Sequence, residues 1–305
     1  MAAQRTQLAD GRWHFQHGPI DIVIGANGQA SALEAAHADA WCRFASILDE
    51  LVSELALLRA PLAGECPLQG VIARRMWQAC LPYAESFITP MAAVAGAVAQ
   101  ELIACYERSG VTRAWVNNGG DIALHLASDQ SLRVGIYADL GRFDLAQLRD
   151  GIGTDAQFEI ASSMPVRGVA TSGWRGRSFS LGIADSVTVL ARDAAAADAA
   201  ATVIANAVNM MDPRITRRPA CDVKDDSDLG LIPVTVDVAP LEPDLVAQAL
   251  QAGLMCAQTL RVSGLIWSAA LVCQNQFVST ASIDTVRLRA SATRQEEAQP
   301  GLQFA

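Results

Sequence analysis

The sequence predicts an α+β fold in which a largely antiparallel sheet is packed with long helices. Several short segments are continuously apolar or alternate apolar with polar residues, which is typical of strands. A few longer segments repeat apolar residues at helical spacing. The strand-like segments come in pairs, and single long helices separate the pairs. That order favours layers of helix and antiparallel sheet.

The N-terminal third is expected to begin with a strand, IDIVIGA, closed by a hairpin turn at Asn27 and Gly28. Residues 30–58 carry apolar side chains at helical spacing, which predicts a long helix. A linker rich in proline and glycine, RAPLAGECPLQG, precedes a short helix around VIARRMWQACLPYAE. A second long helix is predicted over residues 91–108, since Gly110 suits a position just after a helix end.

The segment WVNNGGDIALHL breaks an apolar run with a polar and glycine-rich turn. Ile122, Leu124 and Leu126 alternate as in a half-buried strand, and Asn-Asn-Gly-Gly tolerates positive φ, so a hairpin is predicted. Two interpretations stay open at this point. The turn is either a plain hairpin connection, or a place where Gly119 and Gly120 let a ligand phosphate or ring approach the backbone beside Asp121.

The remaining segments continue the same pattern. In chain order we predict a strand in SLRVGIYA, a surface excursion in DLGRFDLAQLRDGIGTDAQFEI, two or three strands in VRGVATSGWRGRSFSLGIADSVTVLA, an alanine-rich helix over residues 193–209, a loop in DVKDDSDLG, a strand in LIPVTVDVA, a helix in EPDLVAQALQAGLMCAQTLRVSG and a closing strand pair in GLIWSAALVCQNQFVST. A chain of 305 residues can bury a full core. We expect one domain over residues 1–286, or two fused halves with a boundary near 60–85, followed by a flexible tail over residues 287–305.

Composition excludes several classes of function. Hydrophobic residues make up 51% of the chain and charged residues 18%, yet no run of eighteen apolar residues indicates a membrane span. The start of the chain has no apolar stretch for a signal peptide, so a cytoplasmic protein is expected. The net charge of −9 and the absence of a basic stripe argue against nucleic acid as a partner. Seven scattered cysteines without a CxxC motif are read as reduced thiols. The high proportion of hydrophobic residues makes a homodimer plausible.

Asp198 and Thr202 are the first candidate ligand pair. They lie four residues apart on the alanine-rich helix, so their oxygens project from one face about one turn apart. A carboxylate and a hydroxyl in that arrangement could share a magnesium or calcium ion, because hard cations take oxygen ligands. The alternative is an ordinary helix in which the threonine bonds back to its own backbone.

A second candidate site is the basic and aromatic segment around Trp174. Arg175 and Arg177 could contact phosphate or carboxylate, and the indole of Trp174 offers a stacking face. The alternative is a solvated edge strand with alternating arginines. Asp185 could join a metal cluster, although a role in capping the turn before SVTVL is the simpler interpretation.

Three motifs in one order resemble the ApbE superfamily, the flavin transferases that use FAD and magnesium. GVTRAWVNNGGDI resembles the strand and NAGGDI signature of that family, VATSG resembles its Thr-Ser-Gly segment, and SVTVLARDAAAADAAAT resembles its metal-binding segment. ITPMAAVAG occupies the place of the DLGGIAKG stretch. The similarity covers about residues 86–210 and implies the T-fold-related, ApbE-like version of the α+β fold.

The resemblance implies a set of site residues. It puts the metal, expected to be magnesium, on Asp198, Thr202 and the carbonyl of Ala92. It puts FAD or FMN near the candidate cofactor-binding residues Thr89, Gly119, Gly120, Asp121, Thr171, Ser172 and Gly173, to which Arg175 and Arg177 are added from the segment around Trp174.

Three departures set this chain apart from the family motif. The lysine of AKG is Ala95 here, and the aspartate that heads that stretch is Thr89. The HxIxDPxxG segment between the Thr-Ser-Gly motif and the metal helix is missing, and with it the histidine that the resemblance would nominate as a base. All four histidines, His14, His17, His37 and His125, lie before residue 126. The chain is therefore interpreted as a divergent branch, and no catalytic residue is nominated.

Three hypotheses about function follow. The first is a protein that binds a flavin nucleotide, with magnesium-dependent FMN transfer or FAD pyrophosphatase activity if it is an enzyme. The second is a protein that binds or processes a pterin-like or other heterocyclic metabolite on the same fold, with Arg175 and Arg177 holding its acidic group. The third is a non-catalytic scaffold. In the first two cases the partner is a small molecule, and neither nucleic acid nor a membrane is expected.

Overall fold

A computed structural model of the chain describes residues 2–136, 156–225, 227–280, 286–288 and 302–304. Two compact units share these residues. Unit 1 comprises Met1–Ser131, Ala161–Ala170 and Leu190–Ala199, and unit 2 comprises Leu132–Ile160, Thr171–Val189 and Ala200–Ala305. Neither unit begins or ends between residues 60 and 85. The single domain over residues 1–286 stays a prediction, and most of the predicted tail over 287–305 lies outside the described residues.

The described strands are numbered in chain order. They are β1 (Gln4–Gln7), β2 (Trp13–His17), β3 (Ile20–Gly28), β4 (Val111–Asn118), β5 (Asp121–Leu126), β6 (Ser131–Ile136), β7 (Ala156–Ala161), β8 (Gly168–Ser172), β9 (Ser186–Ala191), β10 (Ile215–Pro219), β11 (Pro233–Val238), β12 (Ser268–Cys273), β13 (Gln276–Ser279), β14 (Val286–Leu288) and β15 (Leu302–Phe304). Strands β8 and β9 each contribute residues to both units.

The described helices are numbered in the same way. They are α1 (Ala30–Ser53), α2 (Leu55–Leu58), α3 (Val71–Cys80), α4 (Val94–Ile103), α5 (Ala194–Ala207), α6 (Ala220–Val223) and α7 (Pro243–Val262). Short 3₁₀ turns occupy Leu81–Tyr83, Pro90–Ala93 and Ala104–Tyr106. Helix α5 begins in unit 1 and ends in unit 2. None of the helices in the described ranges combines the length and the apolar character that a membrane crossing needs.

Unit 1 is built on antiparallel strands in the order β1-β2-β3-β4-β5-β8. The alternation of β3 buries Ile22 and Ile24 completely on one face. The aromatic ring of Phe15 on β2 packs 5.3 Å from the ring of Phe44 on α1. Helix α1 adds a buried stripe at helical spacing, formed by Ala36, Ala40, Phe44, Ile47 and Leu51. The core of unit 1 therefore lies between this sheet and its helices.

Unit 2 contains strands in the order β8-β9-β12-β13, a separate antiparallel pair β10-β11, and the small sheet β14-β7-β6-β15. A two-residue turn joins β12 to β13, and both of its residues, Gln274 and Asn275, have positive φ, at 42° and 67°. Such a turn matches the twist of the strands it connects. The backbone N–H of Gln274 donates to the Asp185 carboxylate over 2.6 Å, which holds the turn in place.

The α+β prediction is confirmed, since helices and a large antiparallel sheet make up the described chain. The predicted hairpin forms, but its turn is narrowed to Gly119 and Gly120, since Asn117 and Asn118 still belong to β4. The helix predicted over residues 193–209 forms as Ala194–Ala207. The surface excursion predicted after SLRVGIYA falls mostly on residues 137–155, which lie outside the described ranges.

Two predictions about elements were wrong. Asn27 and Gly28 do not close a hairpin, because both are still paired with β4 and the chain then enters α1. The first hairpin instead joins β1 to β2 through residues 8–12, and β3 is preceded by a second turn at Gly18, whose φ is 56°, and Pro19. The helix predicted over residues 91–108 is a regular α-helix only at Val94–Ile103, with 3₁₀ turns at both ends.

Candidate functional site

The hairpin between β4 and β5 forms the first part of the candidate site in unit 1. Asn118 and Asp121 face each other as the last residue pair of the ladder, so Gly119 and Gly120 alone form the turn. Their φ angles of 68° and 114° are conformations that residues with a side chain rarely adopt. The side-chain oxygen of Asn117 accepts a hydrogen bond of 2.8 Å from the Gly120 N–H. The asparagines and glycines of this motif therefore set the shape of the turn.

The start of helix α4 lies against this hairpin. The side-chain amide of Asn118, which is 8% exposed, donates a hydrogen bond of 3.1 Å to the carbonyl oxygen of Ala95. Ala95 belongs to the first turn of α4, which begins at Val94. The bond therefore fixes the position of that turn relative to the hairpin.

Asp198 contacts the same turn from helix α5. Its Oδ2 accepts a hydrogen bond of 2.9 Å from the N–H of Gly96. The N–H of Gly96 and the carbonyl of Ala95 are the two ends of one peptide group. Asn118 and Asp198 therefore hold that single peptide group from opposite ends.

Helices α4 and α5 cap each other. Asp198 of α5 accepts from the N–H of Gly96 near the start of α4, and Gln100 of α4 accepts a hydrogen bond of 3.2 Å from the N–H of Ala195 near the start of α5. A Cβ at position 96 would come within 2.2 Å of the Ala194 carbonyl oxygen. Glycine is therefore required where the helices approach, and each helix satisfies N–H groups that the other leaves unpaired.

The electrostatics of the site are governed by two carboxylates. Burial raises the pKa of Asp198 well above its ordinary value, and the nearby charge of Asp121 raises the pKa further. Hydrogen bonds from the backbone of Gly96 and Ala95 act in the opposite direction. Asp121 is itself 9% exposed. The fold thus brings together the acidic residues of two motifs that lie 77 residues apart in the sequence numbering (198 minus 121).

Two carboxylates fit magnesium better than a metal that needs a full set of protein ligands. Within the described ranges no group of three His, Cys, Asp or Glu residues is placed to hold a metal ion. Structural zinc uses four such ligands. Magnesium, in contrast, is usually held by one or two carboxylates, with waters and substrate phosphates completing its shell. The donor set of Asp121 and Asp198 therefore suits a hard cation that arrives with a phosphorylated ligand.

The other predicted metal ligands are placed as follows. Thr202 lies one turn beyond Asp198 on α5, as predicted, but it belongs to unit 2. Ala92 lies in the 3₁₀ turn before α4, and its N–H donates to the carbonyl of Thr89 over 3.1 Å. Thr89 is 3% exposed. Metal binding by Thr202 and Ala92, and cofactor binding by Thr89, stay predictions.

The Thr-Ser-Gly segment lies at the end of β8 in unit 2. The hydroxyl groups of Thr171 and Thr188 are 2.9 Å apart, so they form a hydrogen bond. Ser172 is the last residue of β8. A Cβ at Gly173 would lie 2.4 Å from the carbonyl oxygen of Asp185, so the glycine is needed for close backbone packing. Cofactor binding by Thr171, Ser172 and Gly173 stays a prediction.

Asp185 contacts both Trp174 and Arg175 of the basic and aromatic segment in unit 2. It is 7% exposed, and its Oδ1 accepts a hydrogen bond of 3.2 Å from the indole N–H of Trp174. The Nε of Arg175 lies 3.7 Å from the same oxygen, and the guanidinium stacks over the Trp174 ring at 4.8 Å. Arg175 therefore has an intramolecular carboxylate partner, while Arg177 is exposed. Ligand binding by Arg175 and Arg177 stays a prediction.

Sequence reasoning did not nominate Asn118, Gln100 or Gly96. Their partners are backbone groups of segments far apart in the chain, so no local spacing indicates them. One signal was present for Asn118, because this chain has NNGGD where the family signature has NAGGD.

Comparison with known proteins identifies the family. A family model described as AbpE bacteria matches residues 5–280. A UPF0280 protein of Methanopyrus kandleri is 36% identical over 219 residues, which cover 71% of this chain and 82% of that protein. A UPF0280 protein of Methanospirillum hungatei is 37% identical over 126 residues, covering 41% of this chain and 47% of that protein. This chain thus spans about half the length of the first relatives that it matches.

Two solved structures are similar to this chain at low identity. The apo form of the flavinyl transferase ApbE of Pseudomonas stutzeri has a TM-score of 0.43 and 14% identity, covering 91% of this chain and 93% of that one. The ApbE protein of Thermotoga maritima has a TM-score of 0.39 and 14% identity, covering 90% and 96%. The family model matches most of this chain, so the ApbE-like resemblance of its motifs is confirmed and the chain belongs to the AbpE bacteria family.

Proposed function

We propose that unit 1 binds a divalent cation, magnesium, on Asp121 and Asp198, and through that cation the phosphate groups of a flavin nucleotide. The observation that carries the proposal is the approach of these two carboxylates beside the glycine turn and the start of α4. A cation between them would offset the two causes that raise the pKa of Asp198, which are its burial and, second, the charge of Asp121. The flavin as the ligand rests on family membership and on the resemblance of the three motifs.

Different residues of this chain would bind the cation and the phosphate groups of the nucleotide. Asp121 and Asp198 would hold the cation, which when bound supplies positive charge to phosphate oxygens. Gly119 and Gly120 have no side chains, so their backbone can be approached closely by a ligand. The hydrogen bond from Gly96 fixes the direction of the Asp198 carboxylate before any ligand arrives. The arrangement is suited to binding a pyrophosphate, and cleavage of FAD with release of AMP is the reaction to be looked for.

The first experiment measures FAD binding with and without magnesium. Metal-free protein would be titrated with FAD while flavin fluorescence and AMP release are followed. We expect FAD binding that requires magnesium and that is lost in Asp198→Asn, because the asparagine keeps an oxygen for the Gly96 N–H but removes the charge. Asp39→Asn is the matched control, since Asp39 is an exposed aspartate that pairs with Arg108 elsewhere in unit 1. FAD binding that is unchanged by magnesium and by Asp198→Asn would overturn the proposal.

A further inference from the structure

The Ala95–Gly96 peptide group is held at both ends by side chains of other elements. The carbonyl of Ala95 accepts from the amide of Asn118 over 3.1 Å, and the N–H of Gly96 donates to Oδ2 of Asp198 over 2.9 Å. A peptide dipole that is bonded at both ends is more strongly polarised than one bonded at a single end. The Asn118 bond therefore orients and strengthens the contact that fixes the Asp198 carboxylate.

Asn118 also belongs to the hairpin that carries the second carboxylate, Asp121. Asn118 is paired with Asp121 across the end of the hairpin, and Asp121 is the charge that acts on Asp198. Asn118 therefore links the hairpin that bears Asp121 to the peptide group that bonds Asp198.

Position 118 and position 95 are also two points at which this chain departs from the motif it resembles. The motif has alanine and lysine there, and this chain has Asn118 and Ala95. In the structure the two replaced positions contact each other, through the Asn118 amide and the Ala95 carbonyl. A neutral hydrogen bond to the backbone thus stands where the motif has a charged side chain.

We infer that Asn118 is the positioning residue of the cation site, acting on Asp198 through the Ala95–Gly96 peptide. This inference rests on the proposed function, since it concerns the same two carboxylates. Asn118 does not touch the cation in this account. It orients a ligand of the cation, as residues behind metal ligands commonly do.

The test compares cation affinity with stability in Asn118→Ala. Mn²⁺ replaces Mg²⁺ as the probe, because its binding to the full chain can be followed directly by electron paramagnetic resonance. We expect the Mn²⁺ dissociation constant to rise about 10- to 100-fold, the usual effect of removing a group that orients a metal ligand. The increase in melting temperature on adding Mn²⁺ should become smaller, because stabilisation by a bound ion falls with the logarithm of its affinity.

Asn209→Ala is the matched control. The side-chain amide of Asn209 also donates to a backbone carbonyl, that of Leu181 at 2.9 Å, but this bond lies in unit 2. The substitution Asn209→Ala should lower the melting temperature of the metal-free chain and leave the Mn²⁺ dissociation constant unchanged. Asn118→Ser, which keeps a short donor, should restore part of the affinity lost in Asn118→Ala.

The outcomes separate the two claims. If the unaltered chain binds no Mn²⁺, the proposed function fails and the inference fails with it. If the unaltered chain binds Mn²⁺ and Asn118→Ala binds it equally well, only the inference is overturned. If Asn118→Ala lowers the melting temperature equally with and without Mn²⁺ and leaves the dissociation constant unchanged, Asn118 is a structural residue alone and the inference is likewise overturned.

Discussion

At the scale of single residues, small side chains decide how closely backbone segments approach at the candidate site. Gly119 and Gly120 adopt positive φ so that two strands can turn within two residues. Gly96 lets the first turn of α4 approach the start of α5. The first two glycines are needed for their backbone conformation, whereas Gly96 is needed for space.

Gly96→Ala tests that need for space. In a helix, alanine is favoured over glycine by roughly 1 kcal/mol. Here the added Cβ would lie 2.2 Å from the Ala194 carbonyl oxygen, so one helix must shift. Overpacking of this kind costs about 1–3 kcal/mol, which should outweigh the gain in helix propensity. We expect a lower free energy of unfolding in urea, together with weaker cation binding, because the N–H that bonds Asp198 moves with the helix.

An increase in the stability of Gly96→Ala would contradict this account. It would mean that α4 and α5 can separate without cost, and that the hydrogen bond between Gly96 and Asp198 does not hold them together.

At the scale of elements, an ionic network joins α4 to helices α1 and α3. Glu101 of α4 accepts hydrogen bonds of 2.8 Å from Arg43 of α1 and from Arg75 of α3. Arg43 also pairs with Glu50 of α1 over 2.7 Å. The four side chains connect three helices of unit 1, and they hold the helix whose first turn bears the Ala95–Gly96 peptide.

The pKa of Glu101 makes this network sensitive to acid. Burial raises that pKa, but the hydrogen bonds from Arg43 and Arg75 outweigh burial and lower it below the ordinary value of 4.5. At a pH between the lowered pKa of Glu101 in the folded chain and its ordinary value of 4.5, the unfolded chain binds more protons than the folded chain. The free energy of unfolding therefore falls as the pH falls below about 4.5. Above that pH the contribution of Glu101 is complete.

Glu101→Gln removes this charge and tests the prediction. We expect the variant to be less stable than the unaltered chain by about 2 kcal/mol at pH 7, since two hydrogen bonds to a charged group are weakened. The difference in free energy of unfolding between the two chains should become smaller as the pH falls from 4.5 towards 3. Urea unfolding at a series of pH values measures both effects, and Glu34→Gln, an exposed position of α1, is the control. A difference that stays constant over this range would contradict the assigned role.

At the scale of the whole molecule, local patterns in the sequence predicted most elements correctly. The hairpin at Asn117–Gly120 and the helix at Ala194–Ala207 follow from turn chemistry and from composition within a few residues. The hairpin turn next to β3 was placed at the wrong end of that strand, because glycine-containing turn signals flank the strand on both sides. The Gly18–Pro19 signal forms the turn, while Asn27 and Gly28 stay paired with Arg113 and Val111 on β4. That choice depends on a strand more than eighty residues away, which no local pattern reveals.

The candidate site was predictable only in part, for the same reason. Asp121 and Asp198 belong to motifs that could be read directly from the sequence. Asn118 and Gln100 act on backbone groups, those of Ala95 and Ala195, which any residue type would offer. Only the folded arrangement of α4, α5 and the hairpin shows that these amide side chains support the carboxylates.

The central claim is that Asp121 and Asp198 together bind one divalent cation, and a manganese titration of the metal-free chain tests it most directly. The unaltered chain, Asp121→Asn and Asp198→Asn would be compared by electron paramagnetic resonance, which counts free Mn²⁺ at each addition. The account predicts one bound Mn²⁺ per chain, lost to a similar extent in each variant. Binding that survives both substitutions, or no binding by the unaltered chain, would contradict it.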